Sequence, residues 1–373
     1  VELHAPAQLL GGLSPAQFMR RHWQRMPLLV RAAVAVPPLP LTRAQLFALA
    51  ADADVESRLV QRTASRWTVR HGPLSRRSLP PLRRPGWTLL VQGVDLFVDA
   101  AHRLLRQFRF VPDARLDDLM ISYASDGGGV GPHVDAYDVF LLQLHGRRRW
   151  RVGRARDERL VEGAPLKLLR HFTPSQEWLL EPGDLLYLPP RWGHDGVAVG
   201  ECMTASVGFR APRSGELAQA LMLGMADAAP GADGALYGDR TSAPTKTPGR
   251  IPAGLQTFAR DAWRRAASDA RAVEHALGQW LSEPKPRVWF EPGRPARALG
   301  KCALELNRRT RMLYDADHVY INGESLAVGG RDAQCLRRLA DARELSGAEV
   351  RRLSGAARAQ VQQWLSSGWV HER

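Results

Sequence analysis

Two histidines and an aspartate set the strongest demand on how this chain folds. His133 and Asp135 stand two apart in Gly131-Pro132-His133-Val134-Asp135, and His194 follows 59 positions after Asp135, closing Pro189-Pro190-Arg191-Trp192-Gly193-His194. In extended backbone, residues i and i+2 project to one side, so His133 and Asp135 can offer two donors to one ion while Val134 points away. His194 completes the triangle only if the fold lays these distant segments side by side. Two imidazoles and one carboxylate on one face of an octahedron leave three adjacent positions, an arrangement suited to ferrous ion with a chelating cosubstrate and dioxygen. Zinc usually keeps fewer positions open. His-x-Asp alone also arises at strand ends for structural reasons, so the flanking residues matter. Residues 127–132 read Gly-Gly-Gly-Val-Gly-Pro, a backbone free to pass close to a ligand. Residues 181–190 read Glu-Pro-Gly-Asp-Leu-Leu-Tyr-Leu-Pro-Pro, a tight turn, an apolar strand and a proline stop. Each histidine is thereby expected at the rim of a strand.

The residues to about position 114 mix helix and loop, with helical apolar spacing at 17–23, a short apolar strand at 28–30 and an amphipathic helix expected over 95–110. From Asp118 the pattern changes to short, turn-bounded, β-rich runs at 119–123, 139–144, 149–152, 185–188 and 204–209. Such runs, punctuated by glycine and proline, suggest a jelly-roll barrel. Past Pro212, residues 216–229 read as helix, 230–252 as a turn-rich connection and 256–281 as one long helix with Trp263 and Trp280 on its apolar stripe. That stripe must pack on the barrel or on a second subunit. Residues 284–295 contain four prolines and mark a linker. Strands at 317–321 and 325–328 flank Asn322-Gly323, a hairpin turn, and helical stretches at 331–345 and 347–368 complete a module like a winged helix.

A chain of 373 residues has room for two or three domains. Its three cysteines, Cys202, Cys302 and Cys335, are far apart, which argues against a disulfide framework or a thiolate zinc site and for a reducing cytoplasm. The amino terminus shows no charged-then-apolar leader, the chain beginning at Val1 is read as trimmed of an initiator methionine, and no run approaches a membrane helix. A net charge of +14 is compatible with RNA or another acidic surface as partner. The plentiful arginine and alanine and scarce lysine equally suit a bias of genome base content.

The motifs taken together resemble the bacterial JmjC ribosomal oxygenases. The resemblance is carried by residues 117–122 (Asp-Asp-Leu-Met-Ile-Ser), 127–140, 146–153 (Gly-Arg-Arg-Arg-Trp-Arg-Val-Gly), 181–184 and 206–212, with 57–60 and 71–73 upstream, and it covers most of residues 14–212. Beyond that only the order of elements matches. It implies a mostly β, cupin-like core (a double-stranded β-helix or jelly roll), an α-helical dimerisation segment and a C-terminal winged helix, divided as 1–213, 214–295 and 296–373. It further implies a homodimer in the cytoplasm that uses Fe(II), 2-oxoglutarate and dioxygen, releases succinate and carbon dioxide, and hydroxylates carbon 3 of an arginine on large-subunit ribosomal protein sixteen.

Carried onto this chain, the resemblance makes His133, Asp135 and His194 the iron ligands and calls for a cation to meet the distal carboxylate of 2-oxoglutarate. Arg148 is the choice, since its planar fork binds carboxylates at two points and strand alternation turns Arg147 and Arg149 away. Ser122 and Ser206 are hydroxyl donors for the same cosubstrate, or else satisfy backbone groups inside the barrel. An arginine target calls for acidic and aromatic groups at the rim, for which Tyr137, Asp138 and Asp126 are candidates, each of which could instead cap a loop. Two other readings stand beside this one: an oxygenase of the same superfamily acting on a histidine or a small molecule, and a non-catalytic cupin-type ligand sensor with a DNA-binding winged helix.

Overall fold

The computed structural model describes residues 2–34, 40–64, 66–228, 236–238, 249–267, 270–296 and 298–373. The chain clusters into two compact units, Val1–Ala211 and Pro212–Arg373, so the helical segment after residue 213 groups with the C-terminal module. No described helix is long and apolar enough to cross a membrane.

Unit 1 runs α1 (Pro15–Arg21), β1 (Leu28–Val30), α2 (Arg43–Ala50), β2 (Ser57–Thr63), β3 (Arg66–His71), β4 (Trp87–Val91), α3 (Asp99–Arg106), β5 (Leu116–Ala124), β6 (Val139–Arg154), β7 (Gln176–Leu180), β8 (Leu185–Leu188) and β9 (Trp192–Phe209). The strands form one nine-stranded antiparallel sheet in the order β1-β8-β6-β9-β5-β4-β2-β3, with β7 also on β6. One face packs under the N-terminal helices. Ser14 and Thr42 start α1 and α2 with reciprocal capping boxes to Gln17 and Gln45. Phe18 of α1 then drives its ring between Phe140 and Tyr187, at centroid separations of 5.4 and 4.9 Å. Burying one such side chain contributes roughly 1.5–3 kcal/mol. The other face carries Val139, Leu141, Trp150, Val152, Leu180, Leu186 and Leu188 as a separate apolar cluster.

β6 changes which of its residues face inward. Val139 and Leu141 belong to the inner cluster, but farther along it is Trp150 and Val152 that do. The register slips between Gln143 and Arg147 supply the change. Gly146 makes it possible: its φ is +61°, and a Cβ there would stand 2.0 Å from the Glu201 carbonyl oxygen. The runs expected at 139–144 and 149–152 are thus one bent strand.

Two expectations for the first 114 residues change. β2, β3 and β4 occupy a region read as helix and loop: Trp67 and Val69 alternate with Arg66, Thr68 and Arg70 in β3, but the adjacent buried Leu59 and Val60 break the alternation of β2 and β4 is buried throughout. The helix expected over 95–110 reduces to a 3-10 turn, Val94–Leu96, and α3. Asp95 is buried and its carboxylate accepts the Leu119 N–H at 2.8 Å, an anchor for β5 that holds this end out of the helix.

Unit 2 contains α4 (Ser214–Ala228), α5 (Ala253–Ala267), α6 (Ala270–Ser282), β10 (Leu304–Leu306), β11 (Met312–Tyr314), β12 (His318–Ile321), β13 (Glu324–Ala327), α7 (Gly330–Ala342), β14 (Glu344–Leu345), α8 (Gly347–Arg351), α9 (Gly355–Ser366) and β15 (Val370–Glu372). The helix expected over 256–281 corresponds to α5 and α6, with residues 268–269 outside the described residues. Most of the expected connection over 230–252 also lies outside them. The Asn322-Gly323 hairpin is present as β12–β13, both turn residues having positive φ. The stretch expected over 347–368 divides, because Ser354 caps a new helix through the Ala357 N–H. Leu336, Leu339, Val361 and Trp364 close a core with Leu304 and Ile321.

Candidate metal centre

His133, Asp135 and His194 converge. One potential ligand atom from each lies within 4.8 Å of the other two, the one such grouping of three histidine, cysteine or acidic residues among the described residues. Asp135 Oδ2 is 3.6 Å from His194 Nε2 and 4.0 Å from His133 Nε2. His194 projects from β9 as expected, but His133 does not sit in a strand. It makes one isolated antiparallel bridge with His194, with N–H to carbonyl distances of 3.0 and 2.9 Å in the two directions. Gly131 at φ +77° and the donorless Pro132 keep the preceding loop out of the ladder. The bridge clamps the two ligand segments together directly.

Both rings are oriented from behind. His133 Nδ1 lies 2.9 Å from the Gly131 carbonyl oxygen and His194 Nδ1 lies 3.0 Å from that of Trp192. A carbonyl only accepts, so each Nδ1 carries the proton and each Nε2 presents a lone pair to the shared position. Burial, then the neighbouring His133, pushes the His194 pKa down to about 4. It is therefore neutral near pH 7, the form that binds a metal.

The same inner face holds a buried cation. Arg148 is 6% exposed, while Arg147 and Arg149 lie in solvent. Its guanidinium carbon sits 5.6 Å from the centroid of Trp150, whose ring is in turn 5.8 Å from that of His194. Nε and Nη2 of Arg148 have no hydrogen-bond partner among the described residues. An unanswered guanidinium in a protein interior is costly, and an entering carboxylate is what relieves it. Ser122, Thr204 and Ser206 lie on this face too, across the β5–β9 ladder. Ser122 is fully buried, with Oγ donating to the Thr204 carbonyl at 3.4 Å, while Ser206 is half-buried. The hydroxyl of Thr204 donates to Gln143 Oε1 at 3.0 Å, and the Gln143 amide donates to the His145 and Gly146 carbonyls, stitching the bulge that turns Arg148 inward.

The rim candidates separate. Tyr137 is 41% exposed beside the ligand loop. Its pKa is raised by desolvation and then by Asp135, Asp118 and Asp117, so the phenol stays protonated amid negative charge. Asp126 is exposed and accepts the Gly200 N–H at 2.8 Å, the loop-capping alternative. Asp138 is not at the rim. It is fully buried on the opposite face, accepting from Tyr187 Oη at 2.6 Å and Gln24 Nε2 at 3.1 Å, with Arg115 Nη2 at 3.5 Å. Burial raises its pKa against the pull of those partners. Asp138→Ala is expected to destabilise the fold by about 2–4 kcal/mol by stranding these groups. Calorimetric unfolding would check it, and an unchanged melting temperature would return Asp138 to the candidates for substrate contact. Asp117 and Asp118, the other acids acting on Tyr137, were not among the sequence candidates, since they look like any acidic pair opening a strand; Asp118 is buried and accepts the Gly93 N–H at 3.0 Å, and Asp117 lies 3.8 Å from Arg210 Nε.

Comparison with known proteins completes the picture. A JmjC-domain family model matches residues 103–217, and a ROXA-like winged-helix model matches residues 265–371. The ribosomal protein uL16 3-hydroxylase of Escherichia coli K12 is 34% identical over 330 residues, spanning 85% of this chain and 86% of that protein. The chain belongs to the JmjC ribosomal oxygenases. A crystal structure of E. coli YcfD superposes on this oxygenase with a TM-score of 0.85 at 31% identity, covering 97% of this chain and 98% of that one. A structure of YcfD with cobalt and 2-oxoglutarate matches with a TM-score of 0.80, also at 31% identity, over 96% and 98% of the two chains. The mostly β cupin-like core and C-terminal winged helix expected from the sequence are both present. The oxygenase is a 2-oxoglutarate-dependent enzyme using ferrous iron, and its His-Asp-His grouping and the buried Arg148, two of whose nitrogens lack a hydrogen bond among the described residues, fit those two cofactors.

Proposed function

We infer that the enzyme hydroxylates carbon 3 of an arginine side chain on a large-subunit ribosomal protein. The observation that carries this is the pairing of the His133–Asp135–His194 grouping with carboxylates suited to a guanidinium, set beside a relative of 34% identity named for uL16 3-hydroxylation. His133, Asp135 and His194 would hold the iron, which when bound supplies the oxidising chemistry that couples decarboxylation of 2-oxoglutarate to hydroxylation. Arg148 would receive the distal carboxylate, with Ser122 and Ser206 on the same face as its hydroxyl neighbours. The buried walls formed by Trp150, Leu141 and Leu188 exclude water from that end.

Asp135 would be committed to the metal, so the groups proposed for the target guanidinium are Tyr137 and the two acids near it, Asp117, 3.8 Å from Arg210 Nε, and Asp118, whose second oxygen accepts the Gly93 N–H at 3.0 Å. Two carboxylates answer its charge, and a protonated phenol adds a face and a polar tip. Asp118→Asn with Tyr137→Phe is expected to raise KM for an arginine peptide by roughly tenfold to a hundredfold, while the 2-oxoglutarate KM stays put. Equal rises in both would place these residues elsewhere. The rim reading of Asp126 would be supported only if its alanine variant behaved likewise.

The deciding experiment is fragment mass spectrometry of a ribosomal-protein peptide after turnover. One added oxygen on the arginine side chain, placed at carbon 3 by magnetic resonance, is expected. Oxygen on a histidine would move the enzyme to the histidyl branch of the superfamily. The helical segment supports a homodimer, since α4 exposes Met222 and Leu223 and α5 exposes Trp263. Light scattering should give twice the 41.4 kDa chain mass, and a monomer would contradict this. Such an enzyme would work in the cytoplasm beside its substrate.

A further inference from the structure

We propose that the sheet edge formed by β2, β3 and the turn leading into β4 binds the phosphate backbone of RNA beside the mouth of the metal site. Residues 57–94 contain eight arginines and no acidic residue, so this tenth of the chain holds eight of its fourteen net positive charges. At the chain's own frequency of 38 acidic residues in 373, about four would be expected there. A bias of base composition raises arginine everywhere and does not empty one segment of acids. Nor does any of the eight pair with a carboxylate among the described residues, whereas Arg31, Arg109, Arg151 and Arg338 elsewhere do.

The fold gathers several of these charges at one end of the sheet. Arg62 and Arg66 flank the β2–β3 turn, and the exposed Arg83 and Arg84 lie on a turn that returns beside them, where Arg62 N–H donates to the Gly86 carbonyl at 2.8 Å. Protection of an edge strand from further pairing explains charges on β3. It does not explain Arg76, Arg77, Arg83 and Arg84, which lie beyond that strand. Arginine suits phosphate through its two-point fork, and an unpaired row of such groups is the electrostatic footprint of a polyanion.

The patch also reaches the site. Arg62 stacks over Trp67 at 5.4 Å, and the Trp67 ring lies against Gly131, where an added Cβ would stand 3.0 Å from it. Gly131 is the residue whose carbonyl orients His133. A cationic edge thus adjoins the His133 loop, beyond which Asp117, Asp118 and Tyr137 are proposed to take the target guanidinium, two opposite signs suited to a basic protein segment lying on RNA. The second half of that picture rests on the arginine reading; the RNA surface itself does not.

The test measures binding without turnover. Fluorescence anisotropy of a labelled 20-nucleotide single-stranded RNA would be followed with the full chain from 50 to 200 mM salt. The triple variant Arg66→Glu, Arg83→Glu, Arg84→Glu is compared with Lys301→Glu, Arg331→Glu, Arg352→Glu, which makes the same change in net charge on the other unit. The edge triple should bind at least tenfold more weakly, with the slope of log K against log salt reduced by about 2, and the control triple within about threefold of the parent. Unchanged succinate release from a free arginine peptide would show that the edge triple keeps its fold. Equal weakening in both triples, absence of binding by the parent at 50 mM salt, or displacement of the RNA by polyglutamate at equal charge concentration would each overturn the proposal.

Discussion

Asp135→Ala is expected to lower turnover by about a thousandfold or more while leaving the fold in place. Asp135 is the one carboxylate of the grouping and lies between the two ring nitrogens at 3.6 and 4.0 Å. It supplies the only negative charge that those three donors offer a divalent ion. Its loss leaves two neutral imidazoles. A metal ion contributes several kcal/mol to such reactions, and about 4 kcal/mol corresponds to roughly three decades in rate. The backbone bridge between His133 and His194 does not depend on this side chain, so the melting temperature of the metal-free protein should hold. Titration calorimetry with ferrous or cobalt ion should show the matching loss of affinity. Turnover within tenfold of the parent would remove Asp135 from the metal site.

Arg148→Met is expected to weaken 2-oxoglutarate binding by about 10²–10³ with ferrous affinity unchanged, because truncating one member of a buried charged pair costs roughly 2–5 kcal/mol. The effect on the protein alone should have the opposite sign. With Nε and Nη2 unpartnered and the side chain 6% exposed, Arg148 is a charge held out of water for later use. An apolar replacement of similar length should raise the melting temperature without cosubstrate and abolish the rise that 2-oxoglutarate produces. Arg148→Lys should recover part of the affinity, a point charge replacing a fork. A lowered melting temperature together with normal 2-oxoglutarate affinity would make Arg148 a structural residue.

Sequence spacing was enough to bring the three metal-site residues together because metal donors must be particular residue types at workable separations, and the bridge between the two histidines leaves no freedom in how the segments meet. Arg148 was legible by a narrower margin. Alternation turns its neighbours outward, but which parity faces inward depends on the Gly146 bulge, invisible in the strand pattern alone. Asp138 shows the opposite failure. It was placed at the rim because it follows the ligand pair closely, yet it shares parity with Phe140 and Leu142, both in the core beneath the N-terminal helices. Reading the alternation of β6 backward by one residue would have placed it there. The alternation of the edge strand β3 was there to be read in Arg66-Trp67-Thr68-Val69-Arg70 and was missed, while β2 and β4 carry adjacent buried residues that hide theirs, and the end of the helix expected from 95 was lost because a buried Asp95 serves β5. At Asp95 a tertiary contact outweighed a local preference.

The most direct measurement of the central claim is a single-turnover experiment. The purified chain would be loaded anaerobically with ferrous ion, 2-oxoglutarate and an arginine-bearing ribosomal-protein peptide, then mixed with dioxygen and quenched in time. One succinate per metal-loaded site, rising in step with a peptide heavier by one oxygen and absent from the Asp135→Ala protein, is the predicted result. Succinate formation that survives loss of His133, Asp135 or His194, or none from the intact chain, would contradict the account.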